Sequence, residues 1–263
     1  MNYTTHELLN LVIRWVHVFA AILWIGQTYF FTWLDGRLSA AEEKGEVWMV
    51  HSGGFYQVRK QKQPELTRTL HWFRWEAAIT WISGIMLFTL IYYMGGILVD
   101  DESPVSLRMG ILISIGSVFL AWTIYDLLWT SPLGRNEVVG ATISYLLLMA
   151  AAWGFTQVFS SRAAYLQVGF VMGTLMAVNV WERILPAQRK LIASTREGTE
   201  LDPSLAEQAK KRSKHNTFMV IPLTLIMLSN HFPTLTYGNR YNWQILGIIV
   251  LVGWGAAKVI RTR

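Results

Sequence analysis

Runs of about 20 apolar residues recur along this chain. Each is long enough to cross the ~30 Å hydrocarbon core of a bilayer as a helix. Seven such runs stand out: 9–34, 70–96, 108–130, 140–160, 163–185, 217–234 and 242–260. Lipid offers no partners to backbone amides and carbonyls, so these segments must close their hydrogen bonds within helices. The expected fold is all-α, a polytopic membrane helix bundle of about seven transmembrane helices that forms one domain over residues 1–263. The first run follows Asn2, Thr4 and Glu7 rather than a basic stretch, so it reads as a span and not as a cleaved signal peptide.

Charge sets the expected orientation. Of the 23 Lys and Arg residues, 18 lie at the end of or after the first, third and fifth runs, counting from Arg183 in the fifth, or in the C-terminal stretch from Lys258. The alternate loops hold only Arg108, Arg162 and Arg240. The positive-inside bias then puts the N-terminus outside and the C-terminus in the cytoplasm, as in an integral protein of a bacterial inner membrane. The net charge of +6 reflects this sidedness, and no nucleic-acid partner is expected; membrane lipids are. Cysteine is absent, which excludes disulfides, iron–sulfur clusters and haem attached through Cys-x-x-Cys-His.

Two loops on the basic side are long enough to fold locally. In 35–69, the segment 46–58 reads as a short hairpin around Ser52-Gly53-Gly54. In 186–214, Pro203 is expected to start a short helix capped by Asp202. Within the spans, Pro222 removes a backbone donor from the sixth, and Pro233 ends it. Gly169 and Gly173 form a small-xxx-small pair, read as close helix packing.

Ionisable groups inside a membrane are costly and mark function more often than structure. His17 lies in the first run and His231 closes the sixth; with alternating spans, both fall in the outer half. A neutral imidazole can ligate iron there without stranding a charge. The functional reading is axial ligation of a b-type haem by His17 and His231, with Arg14 near a propionate. The plainer reading is a histidine bonded to a carbonyl and another capping a helix.

A second group gathers at the opposite depth: His71, Arg74, Trp75, Glu76, Asp126, Asn179, Glu182, His215 and Asn216. His71 and Arg74, three residues apart, are expected to share a helix face. Aromatic faces, a guanidinium, carboxylates and imidazoles suit a planar anionic heterocycle. Arg74 would hold the anion, and Glu76 or His71 would take a proton. Asp126 and Glu182 are further catalytic candidates. Trp75, Asn179, His215 and Asn216 join Arg74 as substrate-binding ones. Alternatively, His71 and His215 ligate a haem of their own, giving one or two haems in all. Interfacial anchoring and ion pairing explain the same residues without function.

Several blocks also resemble a known family: Arg14-Trp15-Val16-His17-Val18 with Trp24-Ile25-Gly26, Gly53-Gly54-Phe55-Tyr56, Leu70 to Glu76 with Thr80 to Gly84, and His215-Asn216-Thr217 through Ser229 to Pro233. They are similar to membrane-bound urate hydroxylases, the urate oxidase N-terminal family. The tryptophan-rich block at 70–84 is the most specific. The resemblance implies oxidation of urate to 5-hydroxyisourate on the cytoplasmic side, with electrons passed to a cytochrome c-type acceptor. Members that resemble this chain carry an eighth span and a C-terminal cytochrome c domain. The present sequence runs to Arg263 without a Cys-x-x-Cys-His, so either a separate cytochrome accepts the electrons or the cytochrome domain lies outside this sequence. Rival readings are a b-type haem oxidase of a quinol or porphyrinogen, a transporter without a redox centre, and a copper-handling protein. Scattered methionines and absent cysteines disfavour the last.

Overall fold

The computed structural model describes residues 2–40, 45–61 and 70–262. The chain is nearly all helix. In order, the elements are α1 (Tyr3–Ala40), a hairpin of β1 (Glu46–His51) and β2 (Gly54–Arg59), α2 (Trp75–Phe88), α3 (Leu107–Thr130), α4 (Glu137–Val158), α5 (Ser161–Val178), α6 (Leu185–Glu197), α7 (Pro203–Leu228) and α8 (Asn242–Thr262). Wider π turns extend α2 over Thr89–Tyr93 and join α5 to α6 over Asn179–Ile184.

Among the described residues, six helices are long and apolar enough to cross a membrane: α1, α2 with its π turn, α3, α4, the continuous α5–α6 helix, and α8. The expectation of seven rested on α7. That helix is long, but its first half carries Glu207, Lys210, Lys211, Arg212 and Lys214, and its apolar stretch begins only at Thr217. One expectation is corrected in the same place. Pro203 does start a helix, and Asp202 Oδ1 accepts from Ser204 N at 2.9 Å, but the helix is not short. It continues without a break through Pro222 to Leu228.

α5 is the hub of the bundle. It is covered along most of its length by α2, α3, α4 and α7. Its mid-span amide, Gln167, is fully buried and fully bonded: Oε1 accepts from Ser114 Oγ at 2.6 Å, and Nε2 donates to Ser114 O and Ser117 Oγ. Satisfied in this way, an amide costs little in an apolar core. The outer faces of α1, α3, α4 and α8 expose Leu, Ile, Val, Phe and Trp side chains in number. That is the surface a lipid solvent requires.

Cross-helix contacts define two ends. His17 meets Thr80 and Ser83, and Gln27 meets Glu76, so α1 and α2 run antiparallel. Arg162 meets Asn230, and Asn179 meets Asn216, so α5 and α7 do likewise. One end thus collects Arg14, His17, Arg162 and His231; the other collects Glu76, Asp126, Asn179 and Asn216.

The hairpin lies at the second end. Ser52 (φ 49°) and Gly53 (φ 78°) both have positive φ, as a two-residue turn matched to strand twist requires. Asp35 at the foot of α1 pairs with Lys60 after β2 and with Lys210 of α7, so the hairpin is tied to two helices. Residues 41–44 and 62–69 of the expected loop lie outside the described residues.

Candidate functional site

The first site is a cavity of about 400 Å³ enclosed by α1, α2, α5 and α7. His17 and His231 both line it, as do Arg14 and Arg162. Its walls are otherwise almost wholly apolar, among them Leu87, Phe88, Leu166 and Leu223. The small residues have local reasons. A Cβ added at Gly84 would stand 3.1 Å from His17 Cε1, so Gly84 makes room for the imidazole. At Gly169 an added Cβ would crowd Met227 and Ile226 of α7, which is the close packing expected there.

His17 is oriented from behind. Its Nδ1 lies 2.9 Å from Thr80 O and 3.1 Å from Ser83 Oγ. A carbonyl only accepts, so Nδ1 carries the proton, and the Nε2 of the neutral ring keeps its lone pair. Histidines that ligate metals are held in this manner. His231 sits in the 3-10 turn Ser229–His231 that follows α7. Its ring makes no hydrogen bond among the described residues; it lines the cavity and is otherwise exposed.

The second end contains two arrangements, not one. Around the start of α2, Arg74 lies over the rings of Trp72 and Trp75, at 5.6 and 5.5 Å. Trp181, on the π turn after α5, meets Trp75 edge-on at 6.4 Å. Glu76 Oε1 accepts from Gln27 Nε2 at 3.0 Å. Two polar atoms here are buried and have no partner among the described residues: Arg74 Nε and Glu76 Oε2. Buried polar atoms are nearly always bonded, so these two, of opposite character and two residues apart in sequence, are open to a ligand. His71 does not share a helix face with Arg74, contrary to the spacing argument. The helix begins only at Trp75, and residues 70–74 form a turn packed through aromatics, with His71 against Phe73 at 4.6 Å and Phe73 against Phe31.

The other arrangement is closed. Asp126 accepts from Arg183 Nε at 2.9 Å and from Arg212 at 2.7 Å. Asn179 Nδ2 donates to Tyr125 Oη at 2.9 Å and to Asn216 Oδ1 at 3.0 Å. Asn216 Nδ2 donates to Met176 O. His215 Nδ1 is 2.7 Å from Tyr125 Oη, with Trp129 packed 4.1 Å from its ring. His215 stands two residues before the apolar part of α7. Burial first, then the charges of Arg212, Lys211 and Lys214, push its pKa down to about 3. A ring kept neutral in this way accepts from Tyr125. Every polar partner in this network is another side chain or backbone group, and it fastens α3, the π turn and α7 together. Glu182 lies off both arrangements, exposed and without a hydrogen bond among the described residues.

The described residues contain no group of three or more His, Cys, Asp or Glu placed to hold a metal ion. Sequence reasoning overlooked several residues that the structure places at the sites. Arg162 was set aside as a loop charge. Tyr92 enters through a π turn, which leaves no signature in hydrophobic spacing. Gln27 faces Glu76 only because α1 and α2 pack antiparallel.

Comparison with known proteins adds one finding. A family model described as "Urate oxidase N-terminal" matches residues 3–263. The chain belongs to this family. Its membership points to a urate-related oxidoreductase and covers every element described above. No curated protein and no solved structure matches the chain. The blocks that resemble the urate oxidase N-terminal family lie on α1, the hairpin, the start of α2 and α7, so they supply the cavity and the Arg74–Glu76 cluster.

Proposed function

We propose that the protein oxidises urate to 5-hydroxyisourate at the Arg74–Glu76 end and passes the electrons to a cytochrome c-type acceptor at the His17–His231 end. The observation that carries this reading is the pairing of His17 and His231 on one apolar cavity, with His17 held so that Nε2 is free to ligate. Two histidines are too few for a protein-only metal site, whereas a macrocycle supplies the remaining nitrogen ligands. Two imidazoles, apolar walls and two guanidiniums at one end fit haem b. His17 and His231 would hold the iron. Haem bound there would supply a one-electron acceptor inside the membrane.

The residues of the other end account for the substrate. The reaction is urate plus water giving 5-hydroxyisourate, two protons and two electrons, and two one-electron cytochromes take up the electrons. Arg74 pairs with the urate anion, and its unpartnered Nε–H supplies a directed donor. Trp75 and Trp181 offer faces for the flat ring. Glu76, fixed through Oε1 by Gln27, receives a released proton on its free Oε2. Asp126, Asn179, His215 and Asn216 are assigned to the frame behind this site. Between Glu76 and Gly84, which faces His17, α2 rises about 12 Å. Trp24 lines the cavity and also packs on the cluster of Ala77, Val180 and Leu185, so one side chain adjoins both sites.

The positive-inside asymmetry puts the hairpin end in the cytoplasm, with α7 as a seventh span. An anaerobic assay with bacterial membranes containing the protein tests the reading. Urate should reduce added cytochrome c in a ratio of about one urate to two cytochromes. Loss of urate with peroxide formation and no cytochrome reduction would contradict it.

A further inference from the structure

We infer that Arg162 and Tyr92 complete an anchor for the carboxylates of the tetrapyrrole; this rests on the reading that the His17–His231 cavity holds haem. Arg162 opens α5 and lines the cavity. Its Nε donates to Asn230 Oδ1 at 2.7 Å, and Asn230 immediately precedes His231. The turn that presents a ligand histidine therefore also aims this guanidinium. Neither terminal nitrogen of Arg162 has a hydrogen-bond partner among the described residues, so its outward fork remains available for a bidentate carboxylate.

Tyr92 lies beneath it. The Arg162 Cζ is 5.9 Å from the centre of the Tyr92 ring. Tyr92 is only 3% exposed, lines the same cavity, and its buried hydroxyl, close to the Arg162 guanidinium, makes no well-formed hydrogen bond among the described residues. A hydroxyl in that position can donate to a carboxylate oxygen. Arg14 stands on the α1 side of this end, with Nε and NH2 engaged by Asn10. Haem carries two carboxylates on one edge of an otherwise apolar disc. Two guanidiniums and a hydroxyl at one end of an apolar cavity match that distribution.

The test uses the purified full chain, with haem content, the midpoint potential of the haem, its transfer rate to an apo-globin scavenger and co-purified lipid all measured. In Arg162→Gln, haem should leave about tenfold faster, as expected for loss of a charge-assisted pair. The midpoint potential should fall, because a carboxylate without its cation disfavours the added electron. Tyr92→Phe should shift both in the same direction by less, and Arg162→Lys should restore part of the potential. Lys and Phe variants keep the test open if the Gln variant fails to fold. Wild-type protein without haem overturns the underlying reading and this inference with it. Haem present in the wild type, with potential and transfer rate unchanged in Arg162→Gln and Tyr92→Phe, overturns this inference alone. An acidic phospholipid that co-purifies with the wild type and is lost from Arg162→Gln, with haem binding unaffected, overturns it in favour of a lipid site.

Discussion

Arg74 and Asp126 are both charged groups at the same end of the bundle, yet their surroundings differ: Arg74 Nε has no partner among the described residues, whereas Asp126 is paired twice. Asp126 is neutralised by two arginines, and the side chain of Arg212 is only 3% exposed. Removing one partner of such a pair strands the other, at a cost of about 3–5 kcal/mol. Asp126→Ala should therefore lower the thermal stability of detergent-solubilised protein and lose activity through unfolding. Arg74→Gln and Glu76→Gln should leave thermal stability nearly unchanged, because these groups have unpaired atoms already. Arg74→Gln should raise the KM for urate by about tenfold or more, the worth of a charge-assisted hydrogen bond. His215 supplies a pH prediction. Its folded pKa is depressed below the ordinary 6.5, so the unfolded chain binds the extra proton. Stability should be level above pH 6.5 and fall as the pH drops toward 4, and His215→Gln should flatten that fall in a thermal melt. At this scale His17 and His231 were legible as imidazoles set into apolar segments. Arg162 was not, because a loop cation and a cation lining a cavity look alike until helix ends are brought together.

Helices show how the sites are built and where they are vulnerable. A Cβ at Gly253 of α8 would lie 2.6 Å from Pro222 Cδ and 2.9 Å from its backbone nitrogen. The α7–α8 crossing therefore depends on bare backbone, and the proline is accommodated rather than merely tolerated. Gly253→Ala should destabilise by about 1–3 kcal/mol through overpacking, read as a lower melting temperature. Gly84→Val acts elsewhere: its side chain would push on the His17 ring, so the optical spectrum should change while helical content by circular dichroism does not. The apolar runs revealed most helices because lipid burial demands them. They could not show where a helix continues past the membrane, so α7 was expected as a short helix followed by a span. Nor could they show that residues 70–74 form a turn, because aromatic residues are as apolar outside a helix as within one.

On the scale of the molecule, antiparallel neighbours sort the charged residues and histidines into two ends, with a largely apolar middle crossed by the bonded Gln167 network. The charge asymmetry was visible in the loops, and it predicts which end faces the cytoplasm. A cysteine introduced at Ser52 in the hairpin should be labelled by an impermeant maleimide only after the cells are opened; labelling in intact cells would invert the orientation. The division of the second end into a ligand-ready cluster and a closed network was not legible, since it depends on which side chains find partners across helices. The most direct test of the whole account is the absorption spectrum of the purified chain, recorded before and after anaerobic addition of urate. The account predicts a low-spin b-type haem spectrum that urate reduces, and that is lost or altered in His17→Ala and in His231→Ala. A folded wild-type protein without a haem spectrum would contradict it.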